Sequence, residues 1–156
     1  NVGRTRVWGV QSDVEYRLAA SLTLSAGYLF EQARVTEFAP DPTLVGNFVP
    51  EVPENRASVR AIYTNPRVAT IGVDVQFLGR QFDDDQNMVT VPGQSEPGLP
   101  AYATVDLTAS HQIRPGFQIF AGVQNLLDQQ YDVGTLPTTI GSPRLINGGV
   151  RLRFGK

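Results

Sequence analysis

The 156-residue sequence contains no cysteine, one histidine (His111) and one lysine (Lys156). Without cysteine there is no disulfide and no thiolate chemistry. A lone histidine has no partners with which to build a zinc site or a Ser-His-Asp set. No Gly-rich loop joins a strand to a helix, so a phosphate cradle is missing as well. No apolar run approaches the roughly 20 residues of a spanning helix. The net charge is −2 and the basic residues, all arginine except Lys156, are scattered, which excludes the footprint of a nucleic-acid binder. Charged residues make up 18%, hydrophobic residues 41%, and mean hydropathy is −0.15. That is too little charge for a disordered chain and too polar for a helical membrane protein. The start, Asn1-Val2-Gly3-Arg4, carries neither a methionine nor a signal peptide. The expectation is that a leader was removed or that the chain is cut from something longer.

What the sequence does have is alternation. In residues 4–18, Trp8, Val10, Val14, Tyr16 and Leu18 share one parity, and Gln11, Asp13, Glu15 and Arg17 the other. The same period of two runs through 21–35, 54–64, 67–81, 101–113, 117–127 and 143–154, predicting seven strands of an all-β protein. The breaks between them alternate: Ala19-Ala20, Asn65-Pro66 and Arg114-Pro115-Gly116 are short, whereas 38–53, 82–100 and 128–142 are long. All short turns therefore fall at one end of the sheet and all long loops at the other, as in an antiparallel up-and-down meander. Strands of this length, with aromatic residues near their ends (Trp8, Tyr16, Tyr28, Phe30, Tyr63, Phe77, Phe117 and Phe154), point to a transmembrane β-barrel with its apolar face on lipid. A soluble barrel with the apolar face inward has the same periodicity. The near absence of lysine, which protects exposed β edges in soluble proteins, favours the membrane.

Several stretches in order resemble one family. They are Leu99-Pro100-Ala101-Tyr102-Ala103-Thr104-Val105-Asp106-Leu107, Gly122-Val123-Gln124-Asn125-Leu126-Leu127-Asp128-Gln129-Gln130-Tyr131, and Gly141-Ser142-Pro143-Arg144 leading to Gly148-Gly149-Val150-Arg151-Leu152-Arg153-Phe154. Upstream, Val52-Pro53-Glu54-Asn55-Arg56-Ala57 and Gly79-Arg80-Gln81-Phe82-Asp83-Asp84-Asp85-Gln86-Asn87 fit as well. Together they resemble the C-terminal part of the β-barrel of a TonB-dependent outer-membrane receptor. The resemblance implies a barrel of about 22 strands, of which 1–156 is the last third, with the plug domain, the TonB box and the earlier strands absent. It implies the bacterial outer membrane, and uptake of a scarce nutrient, a ferric siderophore first among them. The partners implied are outer-membrane lipid, the remainder of the receptor, TonB through the absent N-terminal region, and the barrel-assembly machinery. The alternative is a small self-contained barrel with a structural or lipid-binding role, closed by an eighth strand from Met88 to Val91.

Candidate site residues follow from parity and from the resemblance. Arg56, Arg60, Asp74, Arg80, Asp106, Arg151 and Arg153 are expected to face the lumen. Val150, Leu152 and Phe154, with Ile146, share the parity of a C-terminal assembly signal, although Gly155 and Lys156 follow the aromatic. Asp83, Asp84 and Asp85, with Asn87, are oxygen ligands of the kind calcium takes, but they lack the spacing of a calcium loop, and a solvated loop is the simpler reading. His111 is expected at the membrane interface. No enzyme and no cofactor are expected.

Overall fold

Period-two sequence becomes antiparallel strand. In the computed structural model, which describes residues 3–135 and 137–154, the strands are β1 (Arg4–Ala19), β2 (Leu22–Glu37), β3 (Asn55–Asn65), β4 (Ala69–Leu78), β5 (Tyr102–Arg114), β6 (Phe117–Gln124), β7 (Asp132–Thr135), β8 (Thr138–Ile140) and β9 (Leu145–Leu152). Seven of them form one sheet in the order β1-β2-β3-β4-β5-β6-β9, every pair antiparallel; β7 and β8 form a separate hairpin within the last long loop. The main sheet is the meander that the alternating loop lengths predict. No described helix is long and apolar enough to cross a membrane, which leaves crossing by strands untouched.

Strand ends depart from the pattern where a local bond competes. The predicted 67–81 strand stops at Leu78, because the Gly79 N–H turns to the Asn55 carbonyl (2.7 Å) and Gln81 bridges to Leu99 across its own loop. The predicted 117–127 strand stops at Gln124, because Asn125 adopts a left-handed φ of 49°. At the 114–117 turn Gly116 has φ 78°, and a Cβ there would come within 2.7 Å of the Arg153 carbonyl, so the tight connection needs glycine. The expected strand from Met88 to Val91 is not formed. Only Thr90 bridges, in parallel, to Gly98. With no eighth strand, β1 and β9 remain the edges of the sheet among the described residues, and the small closed barrel is corrected to an open sheet.

The register fixes which side chains share a face. One row reads Val14-Ala26-Val59-Val75-Val105, and the next Tyr16-Leu24-Ala61-Val73-Leu107-Val123-Ile146, all on the apolar face. Trp8 and Phe30 pack edge to face toward the long-loop end of this face (centroids 5.3 Å), while Tyr16 and Tyr63 lie toward the short turns. Trp8 and Tyr16 are separated by about 26 Å along the strand, about 20 Å at a tilt of roughly 40°. That spacing suits two interfacial girdles. The large apolar side chains of β1 and β9 are left open: Val10 is 62% exposed, Tyr16 63% and Ile146 76%. No described residue covers them, which is the exposure expected of a face turned to lipid.

Placing a charge on the central apolar row tests this directly. Val75→Lys is expected to cost about 2–4 kcal/mol in a bilayer, whereas Gln76→Lys, one residue along and on the other face, costs little. The folded fraction is read as the heat-modifiable band on gels. If the Gln76 variant proved the more damaging, the two faces would have to be exchanged.

Candidate functional site: a charged sheet face beneath a tied loop cluster

The second face of the sheet is polar. A single cross-strand row carries Glu15, Ser25, Arg60, Asp74 and Asp106 on five successive strands. The Arg60 guanidinium donates to the Asp74 carboxylate, and Ser25 Oγ lies 3.5 Å from Glu15. Asp74 and Asp106 stand directly opposite each other, and Asp106 Oδ1 accepts the Asn125 N–H (2.9 Å). Three carboxylates against one guanidinium leave this row with two surplus negative charges. Arg56 lies two rows further toward the long-loop rim, beside Leu29 and Leu78. Arg151 donates to Gln118 Oε1 (3.2 Å), with its guanidinium 5.9 Å from the Phe120 ring centroid. Small residues keep the face open: a Cβ at Gly27 would lie 2.8 Å from Asp13 Oδ1, and one at Gly72 2.7 Å from Thr108 Oγ1.

Above the polar face, at the long-loop rim, three loops are bound into one body. Asp83 of the second loop takes the N–H and hydroxyl of Thr135, in the third loop, on its carboxylate. Asn87, at φ 57°, exchanges bonds with Phe48 of the first loop, accepting its N–H (2.6 Å) and donating to its carbonyl (3.1 Å). Phe48 and Phe82 stack at 5.5 Å, and Tyr102 and Tyr131 at 4.0 Å. Gly141 is what allows the second stack, since a Cβ there would lie 2.0 Å from the Tyr131 ring. Asn125, 4% exposed, closes the base of the third loop: its amide donates to the Gln129 and Ser142 carbonyls (2.9 and 3.0 Å), and its oxygen accepts the Gln129 N–H (2.9 Å). The buried apolar side chains Ala33, Leu44, Val91 and Leu99 gather at this rim, not in the span.

The residues singled out from sequence divide accordingly. Arg56, Arg60, Asp74, Asp106 and Arg151 lie on the polar face. Arg80 lies beyond the end of β4 and is corrected to a loop residue, paired with Glu96 (2.6 Å) and the Pro97 carbonyl (2.9 Å), because the strand ends at Leu78. Arg153 lies past β9, its N–H on the Gly116 carbonyl (2.8 Å). Val150, Leu152 and Phe154 are exposed, the first two on β9; Gly155 and Lys156 lie outside the described residues. Asp83, Asp84 and Asp85 do not converge. Asp83 is engaged by Thr135 and Asp84 by the N–H groups of Met88 and Val89 (3.1 and 3.3 Å), so these two carboxylates act as a tie and a cap. Among the described residues no three His, Cys, Asp or Glu side chains gather as a metal ion needs. His111 sits on the apolar face opposite Ile119, its Nδ1 buried without a hydrogen-bond partner. The loop ties themselves escape the sequence, since Asp83 and Thr135 are 52 residues apart.

An antiparallel meander with one apolar face, one charged face and long loops at a single rim is the architecture of the outer-membrane β-barrels. The family model described as "TonB dependent receptor-like, beta-barrel" matches residues 1–126, and the chain belongs to this family of the Gram-negative outer membrane, whose members are receptors and transporters, not enzymes. It is 27% identical over 137 residues to the ferrichrome outer membrane transporter/phage receptor of Escherichia coli (strain K12), covering 83% of this chain and 17% of that protein. It is 22% identical over 155 residues to the ferrioxamine receptor of Yersinia enterocolitica, covering 97% and 21%. The chain thus spans about a fifth of the length of these curated relatives. The crystal structure of an unliganded ferric citrate transporter superposes with a TM-score of 0.84 at 22% identity, over 97% of this chain and 25% of that one. The matched 1–126 stretch stops short of the Gly141–Phe154 motifs, which the ferrioxamine receptor alignment reaches by its coverage.

The loop ties make a sharp prediction. Asn125→Ala removes three side-chain hydrogen bonds to the Gln129 and Ser142 backbone, at about 2–4 kcal/mol, so amides at 129–135 and 138–142 should exchange with deuterium at least about thirtyfold faster. Asp83→Ala should loosen the second and third loops together by about 1.5–3 kcal/mol while leaving β3 and β4 amides protected. Loosening of only one loop would show that the tie is not structural.

Proposed function

We propose that the chain is the C-terminal barrel wall, seven strands of about 22, of an energy-coupled outer-membrane receptor that takes up a ferric siderophore. The observation that carries this reading is an open sheet, apolar on one face and charged on the other, in a chain of this family. In it the apolar face meets outer-membrane lipid and the long-loop rim is external. Arg56, Arg60, Asp74, Asp106 and Arg151 face the lumen, where the surplus negative charge of the Glu15 to Asp106 row is met by cationic groups of a plug contributed by the remainder of the receptor. TonB acts on that remainder. Ile146, Val150 and Leu152, one parity of the edge strand β9 leading to Phe154, are the surface that the barrel-assembly machinery reads. The siderophore reading is supported by what the relatives are named for, ferrichrome and ferrioxamine.

The test is radioactive-iron uptake by cells that lack their own siderophore receptors and express the complete receptor carrying this segment. Uptake of ferric hydroxamate siderophores is expected, and it should stop when TonB is deleted or the proton gradient is collapsed. Uptake that continues without TonB, or iron binding with no uptake of any siderophore offered, overturns the proposal.

A further inference from the structure

The charged row on the polar face is joined to the third loop through one of its members. Asp106, on β5, faces Asp74 directly across the β4-β5 ladder, so two carboxylates stand on Cα atoms about 5 Å apart. Asp74 is engaged from β3 by the Arg60 guanidinium. Asp106 Oδ1 accepts the backbone N–H of Asn125 (2.9 Å), and among the described residues Asp106 is the charged member of the row that also holds the end of a strand leading into a loop. Asn125 is the foot of that loop. Its left-handed φ of 49° is secured by its own side chain, which holds Gln129 and Ser142 near the two ends of the loop. The next residue, Leu126, donates its N–H back to the Val105 carbonyl (2.7 Å), which keeps the foot beside Asp106. The strands concerned, β3 to β6, are each paired on both sides.

We propose that Asp106 is a positioning residue that passes the charge balance of the row to the foot of the third loop. A hydrogen bond to a carboxylate is stronger than one to a neutral oxygen, so the hold on Asn125 depends on a charged Asp106 kept in place. Asp74 works against it, because like charges directly opposite each other across a ladder destabilise. Arg60 offsets Asp74, and so supports the Asp106-Asn125 bond from two strands away, being bonded to Asp74 and not to the loop. Withdrawing positive charge from the row therefore loosens the foot of the loop, and adding it tightens the foot. A plain local cap behaves differently: it responds to the loss of Asp106 and to nothing done at Arg60 or Asp74. The proposal rests on the reading above only in taking this face as the lumen, where cationic groups come against the row.

The experiment follows deuterium exchange at amides 129–135 and 138–142 of the complete receptor in detergent, through a cycle of substitutions. D106A, which removes the acceptor, is expected to speed exchange there at least about tenfold. R60Q, which stands for the withdrawal of a cation, should speed it about threefold. R60Q/D74N, which removes the opposing charge as well, should return it to the unaltered rate. In a D106N background, where the oxygen remains but its charge does not, adding R60Q should change nothing. Where R60Q fails to show the heat-modifiable folded band, D74N alone carries the test, with exchange slowed about threefold. An unaltered rate in the variant that carries the test, or an R60Q effect of the same size in the D106N background, overturns the proposal and leaves Asp106 a local cap. So does faster exchange in R60Q that spreads equally through the β3 and β4 amides, which would mark a weakened sheet. Exchange needs no transport, so the expected pattern in a receptor that imports no siderophore leaves Asp106 in this role and overturns the uptake reading. Normal import with an unaltered rate in R60Q does the reverse.

Discussion

Backbone hydrogen bonding in hydrocarbon is the constraint on which the rest of this structure depends. Each peptide N–H and C=O left unpaired in lipid costs several kcal/mol, and no water is there to take its place. Strands satisfy these groups only through neighbours, so the chain runs as a meander in which each strand lies beside the one before it. The consequence reaches the side chains. Once a strand is paired on both sides, its residues have two destinations only, and the period of two in the sequence is the record of that choice. Rows such as Val14-Ala26-Val59-Val75-Val105 and Glu15-Ser25-Arg60-Asp74-Asp106 are one residue apart along every strand and lie on opposite faces.

The same constraint explains why so much of the span was legible in the sequence and so little of the rim. A one-residue slip would carry every apolar side chain to the charged face, so the strand register is written into the alternation and can be read from it. At the rim, water relaxes the demand for sheet pairing. Strand ends are then decided by single local bonds, such as Gly79 on Asn55 or the left-handed turn at Asn125, and these have no periodic signature. Arg80 shows the effect: its parity continues that of Asp74 and Gln76, but the strand has ended two residues earlier, and its charge goes to Glu96 in the same loop. The β7-β8 hairpin and the Asp83-Thr135 tie are invisible for the related reason that their partners are brought together by the fold.

Burial is distributed in a way that an isolated soluble domain does not use. Among the described residues the sheet has no core of its own, as expected of a barrel wall whose faces are completed by lipid and by the lumen's contents. The buried apolar side chains, Ala33, Leu44, Val91 and Leu99 with Pro53, lie where the long loops fold over the rim. Stability is therefore local in two senses. The loop cluster carries its own through packing and through ties such as Asn125 and Asn87, whereas the span draws its stability from its surroundings.

That division bears on how such a wall segment can work. A span stabilised from outside tolerates polar and charged residues on its inner face, since their cost is set by the lumen's contents and not by a packed core. On the proposed reading, the inner row can hold an excess of carboxylates, met by cationic groups of the plug, without the barrel losing its shape. A loop cluster stabilised from within does the opposite: its packing keeps its form independently of what fills the lumen. On that reading the rim is a frame above an interior whose occupant can change, and the seven strands between them need only keep their hydrogen bonds.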